Sequence, residues 1–118
     1  MLNKQTEIFK SLSDPNRIRI LKMLQVKPLC VCEITEILGL AASTDSEHLA
    51  ILKRAGFVSV SKEGKWINYH LKKNPSEPEL ASLMTALHFL VEGDPMVKKD
   101  RKKLDNVDRL KIKGITSR

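Results

Sequence analysis

A mainly helical fold carrying one small β-hairpin is what this sequence predicts, and three observations predict it. Apolar residues recur at three- and four-residue spacing through most of the chain. After Gly56 that period changes, and Phe57, Val58 and Val60 face Trp66, Ile67, Tyr69 and Leu71 across the charged, glycine-containing tip Lys62-Glu63-Gly64-Lys65. Glycine and proline fall where helices should stop and start. The 118 residues are enough for one modest core and too few for two, so one domain over residues 1–95 and a basic tail over 96–118 are expected. With 42% hydrophobic but only 4% aromatic residues, Leu and Ile must do most of the packing.

Taken in order, Ile8, Phe9 and Leu12 mark a first helix ending near Ser13. Asp14-Pro15 then supplies an N-cap and a first-turn proline for a second helix, which carries Ile18, Ile20, Leu21 and Leu24 and stops before Pro28. A third helix over Cys30 to Leu38 turns Ile34, Ile37 and Leu38 inward, and Gly39 suits the left-handed residue that ends it. A fourth runs from about Ser43 to Arg54 with Leu49, Ile51 and Leu52 as its apolar set, closed by Gly56. Two helices of about ten residues joined by a glycine-bearing turn form a helix-turn-helix, and the following hairpin is its wing. Pro75-Ser76-Glu77-Pro78 links the hairpin to a last long helix bearing Leu80, Leu83, Met84, Leu87, Leu90 and Val91, ended by Gly93-Asp94-Pro95. From Met96 onward, Lys98, Lys99, Arg101, Lys102 and Lys103 outnumber Leu104, Val107, Leu110 and Ile112, which reads as a mobile basic tail with at most one amphipathic helix.

The charge balance narrows the partners. Lys and Arg number 21 against 14 Asp and Glu, a formal +7 that favours a polyanion such as nucleic acid or anionic lipid. No stretch approaches the roughly 20 apolar residues of a membrane span, and the first ten residues lack a signal peptide's apolar core. A cytoplasmic protein without a membrane partner is expected, and there Cys30 and Cys32 remain thiols rather than a structural disulfide. No glycine-rich phosphate loop, nucleophile motif or metal-hydrolase spacing points to an enzyme.

Four stretches together resemble the ArsR/SmtB metalloregulatory repressors, small winged-helix dimers that leave their operator when a metal or metalloid binds. Ser13-Asp14-Pro15-Asn16-Arg17-Ile18-Arg19-Ile20-Leu21 is similar to the family's second-helix signature. Leu29-Cys30-Val31-Cys32-Glu33 resembles the arsenic-binding motif of the arsenic-responsive branch. Ser46-Glu47-His48-Leu49-Ala50-Ile51-Leu52-Lys53-Arg54-Ala55-Gly56 resembles the recognition helix and its exit, and Gly64-Lys65-Trp66-Ile67-Asn68-Tyr69 the wing. The likeness covers about residues 5 to 91. It implies double-stranded DNA with a palindromic operator as partner, a homodimer, no permanently bound cofactor, and As(III) or Sb(III) as inducer at Cys30 and Cys32.

In such a fold Ser43, Thr44, Ser46, Glu47 and His48 are the candidates for base edges, and Lys53, Arg54, Lys62 and Lys65 those for phosphates. The same residues also describe any solvated helix. Asp45 and Glu47 depart from the family pattern and place two carboxylates where phosphate is expected, unless they read cytosine amino groups or point away. Ala41 stands at the helix-capping position and cannot cap, so Thr44-Asp45-Ser46-Glu47 is expected to serve as a capping box for a helix that starts two or three residues later.

Three readings of the cysteine pair stay open: a metalloid site, a redox pair forming a strained disulfide, or two small core residues. On an ideal helix, positions two apart lie about 200° around the axis, so a common ion requires a distorted helix start. The family's arsenic branch often has a third cysteine where this chain has Thr35, so an all-protein three-sulfur site within one protomer is excluded by count. His48 and His70 belong to the recognition helix and the wing. His88 lies on the last helix, where related zinc sensors place a site, but Met84, Leu87 and Val91 beside it supply no ligands, which leaves it a lone interface histidine. Ile8, Phe9, Leu12, Leu83, Met84, Leu87, His88 and Leu90, on the first and last helices, are the expected dimer interface, because one small core has no room for both faces. The rival from another class is a winged-helix dimer repurposed as a protein-interaction module.

Overall fold

The computed structural model describes residues 2–107. In chain order it has α1 (Leu2–Ser11), α2 (Pro15–Leu24), α3 (Val31–Leu38), α4 (Ala42–Ala55), β1 (Val58–Glu63), β2 (Trp66–Leu71), α5 (Pro78–Leu87) and α6 (Pro95–Leu104). The predicted class holds: a mainly α fold in which a helix-turn-helix, α3 and α4, is followed by a two-stranded antiparallel wing.

The local chemistry explains most of the boundaries. Asp14 caps α2, its carboxylate accepting from the N–H groups of Asn16 and Arg17, with Pro15 at the first helical position. Gly39 ends α3 and Gly56 ends α4, at φ 76° and 101°. At Gly56 a Cβ would also stand 2.8 Å from the Leu80 side chain, so the residue that ends the recognition helix is where α5 crosses it. The strands pair from Val58 with Leu71 to Glu63 with Trp66. A short bridge between Leu29 and Tyr69, with N–H to O distances of 3.0 and 2.8 Å, fastens the segment just before Cys30 to the wing. Ile8, Ile20, Leu21, Met23, Leu29, Ile34, Leu49, Leu52, Phe57 and Leu80 are wholly buried and form one core.

Four expectations are corrected. The helix expected to run to Val91 stops at Leu87, and residues 88–93 form turns with Val91 at φ 49°. Its end is held from inside: Lys22, 1% exposed, donates to the Leu87 carbonyl at 2.7 Å and pairs with Glu92. The basic tail is, through Leu104, the one amphipathic helix the sequence allowed, but docked rather than mobile. Val97, Asp100 and Leu104 lie on one buried face of α6, which packs on α2 and α3. Arg19 grips Asp100 with two hydrogen bonds of 2.8 and 2.9 Å, and Leu110 and Ile112 lie outside the described residues. Two of the expected interface residues, Ile8 and Leu87, are 0% and 1% exposed within the protomer and have no surface left for a partner. Phe9, His88 and Leu90 are exposed, and Leu12, Leu83 and Met84 half-buried. Finally, α4 begins at Ala42 with Ala41 as an uncapped N-cap, so the Thr44 to Glu47 capping box does not form.

Candidate nucleic-acid interface and thiol pair

The burial of α4 splits it lengthwise. Asp45, Leu49, Leu52 and Ala55 face the core, whereas Ser43, Thr44, Ser46, Glu47, Ala50, Lys53 and Arg54 are exposed, a stripe at helical spacing. Of the two carboxylates expected to face phosphate, only Glu47 does face outward. Asp45 is fully buried and accepts from the Thr35 hydroxyl of α3 at 2.9 Å. Its second oxygen has no hydrogen-bond partner among the described residues. Asp45 therefore ties the two helices of the motif together.

His48 is half-buried rather than free. Arg17 Nη1, which can only donate, lies 3.2 Å from His48 Nδ1, so that ring nitrogen is the accepting side of the contact. Arg17 also donates to the Ser11 carbonyl at 2.8 Å, so one side chain of α2 links the end of α1 to the recognition helix. Sequence reasoning missed this residue, because arginine in a signature has no visible target. Arg54, expected at a phosphate, meets Glu7 of α1 at 3.3 Å. Lys53, Lys62 and Lys65 are exposed, and Lys65 lies 5.9 Å from the centre of the Trp66 ring at the wing tip.

The thiols are the larger surprise. Cys30 is not helical; it is the N-cap of α3 with extended backbone, φ −89° and ψ 167°. Its Sγ lies 2.7 Å from that of Cys32. The expected opposition of 200° does not arise, because only Cys32 follows the helix. Glu33 fixes this arrangement: its carboxylate accepts from the Cys30 N–H at 2.9 Å, one half of a capping box. The spacing of Glu33 three residues after Cys30 carried that signal in the sequence. Cys30 is 4% exposed and Cys32 half-buried. Burial, and then the hydrogen bond with Cys32, push the Cys30 thiol up to about 12, so it holds its proton at neutral pH.

A helix locked to its neighbour on one side and polar on the other, beside a lysine-tipped hairpin, is how a winged helix-turn-helix DNA-binding regulator is built. Residues 14–60 match the profile "Bacterial regulatory protein, arsR family". A regulator of Methanocaldococcus jannaschii, the HTH-type transcriptional regulator MJ1325, is 46% identical over 69 residues, which cover 58% of this chain and 78% of that one. The arsenical resistance operon repressor of Escherichia coli is 36% identical over 66 residues, 55% of this chain and 56% of the relative. A cadmium resistance regulator, the CadC homolog of Staphylococcus aureus, is 39% identical over 66 residues, 55% and 54%. This chain thus spans about half the length of those two. The homodimeric winged helix-turn-helix domain of Mb0332 from Mycobacterium bovis shares the fold, with a TM-score of 0.63 and 23% identity over 80% of this chain and 83% of that one. The chain belongs to the ArsR family, whose members are DNA-binding transcriptional regulators rather than enzymes.

Proposed function

We propose that this protein is a homodimeric repressor that holds a palindromic operator and releases it when As(III) or Sb(III) bonds to Cys30 and Cys32. The observation that carries the reading is the contact of the two thiols, 2.7 Å apart at the start of α3, on the helix whose Thr35 holds Asp45 of the recognition helix. Seating the ion displaces the first turn of α3, and the displacement passes through Thr35 and Asp45 to α4.

A metalloid fits this pair better than a divalent cation does. Cadmium or zinc takes about four donors and requires thiolates, and no group of three or more His, Cys, Asp or Glu side chains suited to an ion occurs among the described residues. A trivalent metalloid hydroxide instead condenses with neutral thiols. Each thiol proton leaves in a water molecule and no charge is buried, which suits the protonated Cys30.

The DNA surface is the exposed stripe of Ser43, Thr44, Ser46 and Glu47, with Lys53 and the wing lysines Lys62 and Lys65 at phosphates. His48 supports it from behind, and Arg54, exposed at the end of α4, is shared with Glu7. A two-fold pairing through Phe9, Leu12, Leu83, Met84, His88 and Leu90, joined by Phe89 at 79% exposure, sets two recognition helices for half-sites about one helical turn apart. The setting is the reducing cytoplasm, where both thiols stay free. The short thiol contact also favours a second reading, a repressor released by oxidation of the pair to a disulfide.

The test is fluorescence anisotropy of the reduced protein on its own upstream DNA, titrated with arsenite and, separately, with peroxide. Release by arsenite that Cys30→Ser and Cys32→Ser each abolish is the expected result. Release by peroxide alone transfers the signal to the redox reading. Binding that weakens by much less than about 0.9 log units per phosphate contact per tenfold salt would favour a protein-interaction surface instead.

A further inference from the structure

Resting on the reading of this chain as a DNA-binding regulator, we propose that α6 is a second DNA-contacting element. Its outer face of Lys98, Lys99 and Lys102 binds backbone phosphates of the duplex beside the half-site that α4 reads. The residues matched to the ArsR profile end at 60, so α6 lies outside them.

From Lys98 to Lys103, five of six residues are cationic. The sixth, Asp100, is 1% exposed and turned inward to Arg19. Arg101 is committed to Glu92 and Gln25, and Lys103 reaches the Ile37 carbonyl at 3.5 Å. Lys98, Lys99 and Lys102 are exposed, and none of the three has a side-chain hydrogen bond or ion pair among the described residues. Lys98 and Lys102 stand four apart, as do Lys99 and Lys103, a spacing at which like charges destabilise a helix. A polyanion laid along this face removes that repulsion.

The lysines are carried on a fixed scaffold, because Val97, Leu104 and the pair of Asp100 with Arg19 dock the helix on the protein. That scaffold flanks both helices of the motif. Arg19 is held in its charged form first by Asp100 and then, through space, by Asp45 in the first turn of α4. One arginine therefore separates α6 from the start of the recognition helix. Farther along, Lys103 meets the last turn of α3 at Ile37 and lines, with Glu36, Ile37, Asn106 and Val107, a cleft of about 330 Å³. Duplex DNA suits this face better than a lipid surface. A helix that lies in a membrane needs an apolar face to insert, and Val97 and Leu104 are already buried in the protein. Phosphates need only charge at fixed positions, and such contacts set affinity and register rather than sequence.

The experiment is fluorescence anisotropy of the full chain on its own upstream DNA and on a scrambled duplex across a salt series, with phosphate-ethylation interference to locate the contacts. The combined variant Lys98→Gln, Lys99→Gln, Lys102→Gln removes three cations that hold nothing in the protomer, and its melting temperature should stay the same or rise. Its salt dependence is expected to be shallower by at least about 0.9 log units per tenfold salt for each protomer bound, with both duplexes weakened by the same factor. Phosphates whose ethylation hinders the unaltered chain should become silent in this variant, and they should differ from those silenced by Lys62→Gln with Lys65→Gln. Arginine at the same three positions should restore both readouts. An unchanged salt slope overturns the inference and leaves the lysines a solvated face. A shallower slope with no phosphate silenced also overturns it, since that is a long-range field and not a contact. If the variant loses binding to phosphatidylserine vesicles but keeps its DNA slope, the face belongs to a lipid surface instead. If the unaltered chain binds neither duplex even at low salt, the DNA-binding reading itself falls, and this inference with it.

Discussion

At the start of α3, the N–H of Cys30 is taken by Glu33, the backbone before it is bridged to Tyr69 of the wing, and the two thiols touch. At the start of α4, Ala41 offers no side chain, no side chain caps the first N–H groups, and Ser43 and Thr44 stand in solvent. One helix start is closed on itself and the other is left open. An uncapped helix start is normally a defect costing about 1 kcal/mol. Here it leaves donors and the positive end of the helix dipole available to a phosphate. Under the proposed function the difference divides the tasks: the closed start would hold the chemical trigger and the open start would be completed by DNA.

Thr35 and Asp45 join the two regions, and breaking them should have the largest effect. Thr35→Val leaves a buried carboxylate without a donor, lowering stability by about 1–3 kcal/mol in urea denaturation and uncoupling metalloid binding from DNA release. Replacing both with Val should recover most of the stability but not the coupling. Next in size is closing the open start. Ala41→Asp should add about 1 kcal/mol of stability by capping α4, yet weaken operator binding, because its carboxylate takes the donors and repels the phosphate; stability and affinity moving up together would refute the contrast. Opening the closed start is the converse. Glu33→Ala should cost about 1 kcal/mol and loosen metalloid binding measured by calorimetry, with operator affinity unchanged.

The smallest effect lies away from both starts, at α6. Hydrogen bonds from Arg101 and then Lys22 lower the Glu92 carboxyl from 4.5 to about 2. Its folded value is depressed, so its contribution is complete above the unfolded value and is lost as pH falls from about 4.5 toward 2. Amide exchange in α6 should therefore rise over that window, and Glu92→Gln should remove the pH dependence.

The contrast between the two starts was only half legible in the sequence. Ala41 could be read as a poor cap, but the expected remedy was a later start; instead the helix begins at Ala42 and tolerates the defect. Cys30 was read as the first residue of a helix, although Cys30 and Glu33 have the spacing of an N-cap and its reciprocal partner. The first four helices and the hairpin were readable because their apolar sets and terminating residues agree. Past Leu87 they do not agree: Leu90 and Val91 continue the period of α5, but Lys22, a residue far away in the chain, holds the Leu87 carbonyl and Glu92 in a turn. Asp94-Pro95 was read as an end, yet it is the same pair as Asp14-Pro15 and starts a helix in the same way, its carboxylate accepting from Met96 and Val97. In α6 only Val97 and Leu104 are buried apolar residues, and the ion pair of Asp100 with Arg19 could not be foreseen from lysine-rich sequence. Asp45 escaped for a related reason, since a carboxylate on a DNA-reading helix looks exposed until its partner on α3 is known.

A change at the start of α3 is expected to reach the start of α4. Hydrogen exchange of the backbone amides of residues 31–35 and 42–46, with and without arsenite, tests it most directly. Faster exchange in both segments, absent in Cys30→Ser and confined to the first segment in Thr35→Val, is the predicted result. Release of DNA with exchange in residues 42–46 unchanged would contradict it.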